Sequence, residues 1–203
     1  MRVPVKLFFA SSNPGKLAEY RALAASAPSL SVDLELFPRF EALPAFEEPA
    51  PTFAENAAGK ALHYSRHWDG LVIADDSGLV VPALGGAPGV HSARYAGTPA
   101  TNTQKIEKLL GEMRGMTGRA RAAYFVCAIA LSQRGRAMAV VTDRVDGEIR
   151  EAPRGLGGFG YDPVFYFPAL GKTFAEIPAE EKNLRSHRGK AFHRLLAALS
   201  TML

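Results

Sequence analysis

Between Ala122 and Leu131 the chain is apolar on both of its alternating faces: Tyr124, Val126 and Ala128 point one way, and Phe125, Cys127 and Ile129 the other. A strand of this kind needs cover on both sides, as the centre of an α/β sheet provides. The spacing therefore predicts helices above and below a sheet. With 203 residues, 47% of them hydrophobic, the chain is long enough to bury such a core as a single domain, 1–203, with two lobes.

The flanking patterns fill in that outline. Val5 to Ala10 reads as a buried strand, after which Asn13 and Pro14 stand as N-cap and first residue of a helix that carries Leu17, Tyr20 and Ala24 and closes at Pro28. Val32 to Phe37 alternates as a half-exposed strand, and Phe40 to Pro51 is a loop rich in Pro and Glu. Thr52 and Glu55 form a capping-box pattern opening a helix to about Trp68. Leu71 to Ala74 is a strand ending at Asp75-Asp76-Ser77-Gly78, followed by a Gly- and Pro-punctuated loop from Leu84 to Gly97 and a helix over Asn102 to Met113. Gly135 turns the central strand back into Ala137 to Val141, a long hairpin in a mixed sheet. The last helix begins near Ser186 and buries Phe192, Leu195, Leu196 and Leu199 at i, i+3, i+4 and i+7.

Composition narrows the partners. A formal charge of +4, from 24 basic and 20 acidic residues, is a modest excess that a nucleotide satisfies as well as DNA does. Arg114, Arg119 and Arg121 read as the solvated end of an apolar strand, and no recognised nucleic-acid module is present. The single Cys127 excludes an internal disulfide, and no apolar run reaches the roughly 18 residues of a membrane span. The N-terminus imitates a signal peptide, but Lys6 interrupts its short apolar stretch. The expectation is a cytoplasmic protein with no nucleic-acid or membrane partner.

Chemistry concentrates where local rules are broken. A helix start carries a partial positive charge, yet Lys16 in SSNPGK and His187, Arg188 and Lys190 in SHRGK add cations to two of them. SSNPGK is no Walker A loop, since Ala10 and Leu17 occupy the positions of that motif's first Gly and its Ser or Thr. It reads equally as a phosphate-holding turn or as a capped helix with a solvated lysine. Gly155, Gly157 and Gly160 spell GxGxxG, but a strand-like Val164 to Phe167 follows where a dinucleotide site needs a helix. Phe159 among those glycines is an exposed ring suited to stacking on a base, or else a buried anchor for its loop. Alternation sends Asp75 and Asp76 to opposite faces, one toward a ligand and the other capping the turn before Gly78. Glu55, Asn56 and Lys60 make a polar helix face that solvent exposure explains as well as function does. Oxygen ligands such as Glu48 and Asp76 suit Mg²⁺ completed by phosphates, whereas His63, His67, His91 and His193 lack metal-ligand spacing.

Taken together, SSNPGK, FAENAAGKA, IADDSGLVVPALGGAPGVHSARYAG, PRGLGGFGYDPVF, GKTFAE and SHRGKA resemble, in order and spacing, the inosine triphosphate pyrophosphatase family, and the likeness covers nearly the whole chain. The resemblance implies an elongated, two-lobed mixed α/β fold with a long central mixed sheet and an active-site cleft between the lobes. It also implies Mg²⁺-dependent hydrolysis of ITP, dITP and XTP to the monophosphate and pyrophosphate, by a homodimer. Carried onto this chain, it assigns substrate binding to Ser11, Ser12, Asn13, Pro14, Gly15, Lys16 and Ser77, with Phe159, Gly160, Tyr161 and Asp162 at the base and sugar. Lys182, His187 and Arg188 would read the base, Glu48 and Asp76 would hold the metal, and Asp76 and Lys60 would be catalytic. The alternatives are a nucleotide sensor that does not turn over, a basic nucleic-acid binder, and a related pyrophosphatase for modified pyrimidine or 7-methylated nucleotides.

Overall fold

The computed structural model describes residues 3–27 and 30–202; Pro28, expected to close the first helix, lies outside them. Seven strands, β1 (Val5–Phe9), β2 (Val32–Leu36), β3 (Leu71–Val80), β4 (Ala122–Gln133), β5 (Arg136–Ile149), β6 (Phe165–Phe167) and β7 (Lys172–Thr173), form one sheet in the order β2-β1-β3-β4-β5-β6-β7. The helices among the described residues are α1 (Pro14–Ala25), α2 (Phe53–Ser65), α3 (Asn102–Glu112), α4 (Ala179–Arg185) and α5 (His187–Ser200), joined in places by short 3₁₀ turns. β1 runs parallel to both β2 and β3, while β6 runs antiparallel to β5 and β7, so the sheet is mixed as expected.

By contact the chain divides into two compact units. One comprises Met1–Asp76, Cys127–Asp143 and His187–Leu203, and the other Ser77–Val126 and Arg144–Ser186. In the first unit the pleat sorts residues strictly by parity. Leu7, Phe9, Ile73, Cys127, Ile129 and Leu131 share a core with Tyr20 and Leu23 of α1 and with Phe192, Leu195, Leu196 and Leu199 of α5. Their neighbours Phe8, Ala10, Val72, Ala74, Ala128 and Ala130 share another with Ala57, Ala61 and Tyr64 of α2. The doubly apolar strand is thus covered on both faces. Each fully buried leucine or phenylalanine of α5 contributes about 1.5–3 kcal/mol against solvent. The second unit has its own core, in which Leu79, Ile106, Leu109, Met113, Phe125, Val145, Ile149, Phe165 and Phe174 pack.

Several boundaries differ from expectation. β3 does not stop at Ala74 but runs through both aspartates to Val80, because partners described below satisfy the polar run. α2 ends at Ser65 rather than Trp68, whose ring instead meets the edges of Phe8 and Phe37. β5 continues to Ile149, and neither β7 nor α4 has a periodic signal long enough to read. Arg121 is no solvated end. Its guanidinium donates to the carbonyls of Ile149, Met116 and Arg150 at 2.5, 3.2 and 2.9 Å, tying backbone segments of the second unit together. The turn joining β4 to β5 places Arg134 and Gly135 both at positive φ, 49° and 72°, the conformation that suits a tight hairpin. Among the described residues, no helix is long and apolar enough to cross a membrane.

Candidate active site

SSNPGK folds as its capping residues dictate. The Asn13 side chain accepts from Lys16 N at 3.1 Å, Asn13 N donates to Ser11 Oγ at 3.2 Å, and Pro14 opens α1. No acid lies in that first turn, nor in the first turn of α5. The compensating charge is Asp75. Sitting on the odd face of β3, it meets Lys16 Nζ at 3.0 Å from α1 and Arg188 Nε at 3.6 Å from α5, and Arg188 also bonds Glu19. Asp75 is fully buried. Burial alone would raise its pKa, but the charges of Lys16, Arg188 and Lys60 outweigh it and hold the carboxyl below the ordinary 3.8. The expected turn cap is therefore an anion shared by two helix starts. Beside it, Tyr20 OH lies 3.5 Å from Cys127 Sγ, and burial, then the Asp75 charge, pushes that thiol up to about 12, leaving it protonated.

Asp76, one residue on, faces α2. Asn56 Nδ2 donates to its Oδ2 at 3.0 Å, and Lys60 Nζ reaches Glu48 Oε1 at 2.7 Å. Solvation explains Glu55, which is exposed, but not Asn56, which is fully buried, nor half-buried Lys60. Burial first, and the negative charge of Glu48 second, push Asp76 up to about 6 against the opposing pull of Lys16 and Asn56. Lys60 stays charged: burial works against it, but Glu48 and the two aspartates prevail and raise its pKa. Glu48 itself is held at φ 51°, a backbone cost that a non-glycine residue sustains only where its surroundings impose it.

The donor set bears on a metal. No group of three or more His, Cys, Asp or Glu residues suited to an ion occurs among the described residues. What is present is a pair of oxygen donors, Glu48 and Asp76, whose mutual repulsion already raises a pKa. That fits a hard, partly hydrated dication completed by phosphate oxygens, and it does not fit a closed all-protein cage.

In the second unit, Gly155 to Gly160 form a loop and open no helix, as the strand-like sequel predicted. Asp162 Oδ2 accepts from Phe159 N at 2.8 Å and also takes Lys182 Nζ from α4, and that ammonium lies 5.3 Å from the Phe159 ring centre. Phe159 is accordingly half-buried with a cation over its ring, rather than freely exposed. Gly160 sits at φ 65°, and buried Tyr161 donates its hydroxyl to Ser92 O at 3.0 Å. Of the other expected substrate residues, Ser12 and Pro14 are exposed, Gly15 and Ser77 half-buried, and His187 buried in the first turn of α5. A cavity of about 470 Å³ lies elsewhere, at the C-terminal end of α2, lined by Ser65, Arg66, His67, Trp68, Asp69 and Arg134; no expected site residue lines it.

The first unit thus brings Lys16, Arg188 and Lys60 to act on Asp75, and Glu48 and Asn56 on Asp76, with Ser11 and Asn13 bonded within the turn that carries Lys16; the second unit gathers Phe159, Asp162 and Lys182. Sequence reasoning missed Asp75 as a shared anion and Glu19 as the second partner of Arg188, and it left Asn56 open between a functional and a solvent-exposed face. Glu19 lies three residues after Lys16 on α1, and Asn56 four before Lys60 on α2, so helical spacing held a signal for both.

Comparison with known proteins identifies the family. The Ham1 family model matches residues 7–198. A dITP/XTP pyrophosphatase of Geobacillus kaustophilus is 51% identical over 94% of this chain and 92% of its own length, and one of Gloeobacter violaceus is 45% identical over 96% and 94%. The solved HAM1 protein of Coxiella burnetii superimposes with a TM-score of 0.85 at 39% identity, covering 97% of this chain and 99% of that one. The Ham1 protein of Staphylococcus aureus gives 0.84 at 37% identity, covering 98% and 100%. The chain belongs to the Ham1 family.

Proposed function

We propose that this protein is a dITP/XTP pyrophosphatase. It hydrolyses ITP, dITP and XTP to the monophosphate and pyrophosphate with Mg²⁺ as the metal, and so clears irregular purines from the nucleotide pool. The observation that carries the reading is the aspartate pair of β3. Asp75 draws the cations of two helix starts together, and Asp76 beside it has a carboxyl raised to about 6 next to Glu48. Without metal such a carboxyl is mostly ionised at neutral pH, and a carboxylate positioned as a general base contributes about 10²- to 10⁴-fold in rate.

In this reading the Ser11–Lys16 turn and Lys60 neutralise the triphosphate. A water held by Asp76 adds to the α-phosphorus and gives its proton to that carboxylate. The bond from the α-phosphorus to the α–β bridging oxygen breaks, and pyrophosphate leaves with the electron pair. Glu48 and Asp76 would hold Mg²⁺, which would supply charge neutralisation to the phosphate oxygens. Lys182, His187 and Arg188 read the base, with Phe159 to Asp162 beside base and sugar. A 6-oxo purine accepts a hydrogen bond from a lysine or arginine where adenine presents a donor, a mismatch worth up to about 10⁴-fold. The family resemblance supports treating the chain as one domain with two lobes, a homodimer and a cytoplasmic enzyme. The test is an assay on ITP, XTP, GTP and ATP with and without Mg²⁺, measuring pyrophosphate and orthophosphate separately. Fast pyrophosphate release from ITP and XTP is expected, and equal rates on ATP and ITP would remove the assigned base readers.

A further inference from the structure

The strap that carries Glu48 lies along α2 in regular steps. Pro44 O contacts His63 Nε2 at 2.8 Å. Phe46 covers Gly59 so closely that a β-carbon there would come within 2.5 Å of its Cζ. Glu48 pairs with Lys60 at 2.7 Å, and Ala50 is clasped on both sides by Asn56, its N–H donating to Oδ1 at 2.8 Å and its carbonyl accepting from Nδ2 at 3.2 Å. Every second strap residue is thus tied to helix positions 56, 59, 60 and 63, one stripe at i, i+3, i+4 and i+7. At the last step the same Nδ2 donates to Asp76 Oδ2.

We propose that Asn56 is a positioning residue that sets the separation of Glu48 and Asp76 by clasping Ala50 of the strap and Asp76 of β3 through one amide. The inference rests on the reading of those two carboxylates as the metal site. They repel one another, so something other than their own charge must hold the strap against β3. An amide of this length offers both an acceptor and two donors: a carboxylate loses the donors, and an apolar side chain loses both. With Nδ2 directed at Oδ2, the other Asp76 oxygen is the one presented for chemistry.

The experiment uses the full chain with Asn56→Leu, which removes the amide without adding a carboxylate, and, because a buried substitution can unfold a protein, Ala50→Pro, which deletes the clasped N–H from the strap side. Three quantities are read: hydrogen exchange of the amides at 45–48, and at 50 where Ala50 is kept, without metal, Mg²⁺ affinity by calorimetry, and kcat and KM for ITP at saturating Mg²⁺. For Asn56→Leu we expect faster exchange along the strap and Mg²⁺ affinity weakened about 10- to 100-fold, with kcat falling while KM for ITP stays within about twofold. Ala50→Pro should weaken Mg²⁺ affinity and kcat in the same direction. Unchanged strap exchange in Asn56→Leu, or a rise in KM with kcat intact, overturns the proposal. Asp76→Asn is the control for the underlying reading: if it binds Mg²⁺ as tightly as wild type, the metal assignment falls, and the exchange rates alone then decide whether Asn56 is a clasp.

Discussion

Replacing Asp76 by Asn should make the metal-free protein more stable while removing its activity, and the structure sets the size of the gain. Its carboxyl is raised from 3.8 to about 6, chiefly by burial and by Glu48. A group whose folded pKa lies above its unfolded value contributes most to stability when protonated, below about 3.8, and loses that contribution as pH rises through about 6. At about 1.4 kcal/mol per pH unit of separation, the ionised carboxylate costs the fold about 3 kcal/mol at pH 8. The isosteric amide avoids that cost and keeps an oxygen able to accept from Asn56. Urea denaturation in chelator should therefore show Asp76→Asn about 1–3 kcal/mol more stable than wild type at pH 8, with the difference closing toward zero near pH 3.5. Added Mg²⁺ should narrow the gap at pH 8 by stabilising the wild type alone. Turnover of ITP should fall about 10²- to 10⁴-fold. A variant no more stable than wild type at pH 8, or a gap that ignores pH, would refute the reasoning.

Asp75→Asn should behave in the opposite way, losing about 3–5 kcal/mol at pH 7 because it strands Lys16 and Arg188 without their shared anion. Since the Asp75 carboxyl is held below 3.8, its contribution is present above that value and lost as pH falls through the lowered pKa, which the same urea titration would detect. Gly158→Ala should cost about 1–3 kcal/mol by calorimetry and raise KM for ITP. The position sits at φ 68°, and its β-carbon would come within 2.1 Å of Asp162 Oδ2, so an unchanged KM would uncouple this loop from substrate. Lys182→Met should reduce the preference for ITP over ATP by about tenfold or more in kcat/KM, and an unaltered ratio would take Lys182 out of base selection.

The sequence was most readable where one local pattern had one physical solution. The doubly apolar stretch inside β4 admits only a covered strand, Asn13-Pro14 only a helix start, and the α5 stripe only one buried face. It was least readable where distant groups decide. Asp75 and Asp76 look like the polar end of a strand, because the cations that let β3 continue through them come from Lys16 and Arg188, 59 and 113 residues away in the chain. The spacing of Asn56 and Lys60 marks a shared helix face but leaves function and surface equally open, because the partners that decide, Ala50 and Asp76, lie in a loop and a strand. Arg121 looks solvated because its carbonyl partners belong to segments whose pairing is tertiary. α4 is too short for periodicity to reveal, so Lys182 was located only through the resemblance.

The parity of β3 makes a reading frame out of a strand. Asp75 and Asp76 are chemically the same residue, and only the pleat sends one toward α1 and α5 and the other toward α2. The Leu7–Leu71, Phe8–Val72 and Phe9–Ile73 alignment with β1 keeps that frame. Deleting one residue between Leu71 and Asp75 would leave the composition almost unaltered yet bring Ser77 to the place where Asp76 faces α2, and adding one would bring Ala74 to the place where Asp75 meets the buried cations. Length, more than chemical identity, is what this segment cannot vary.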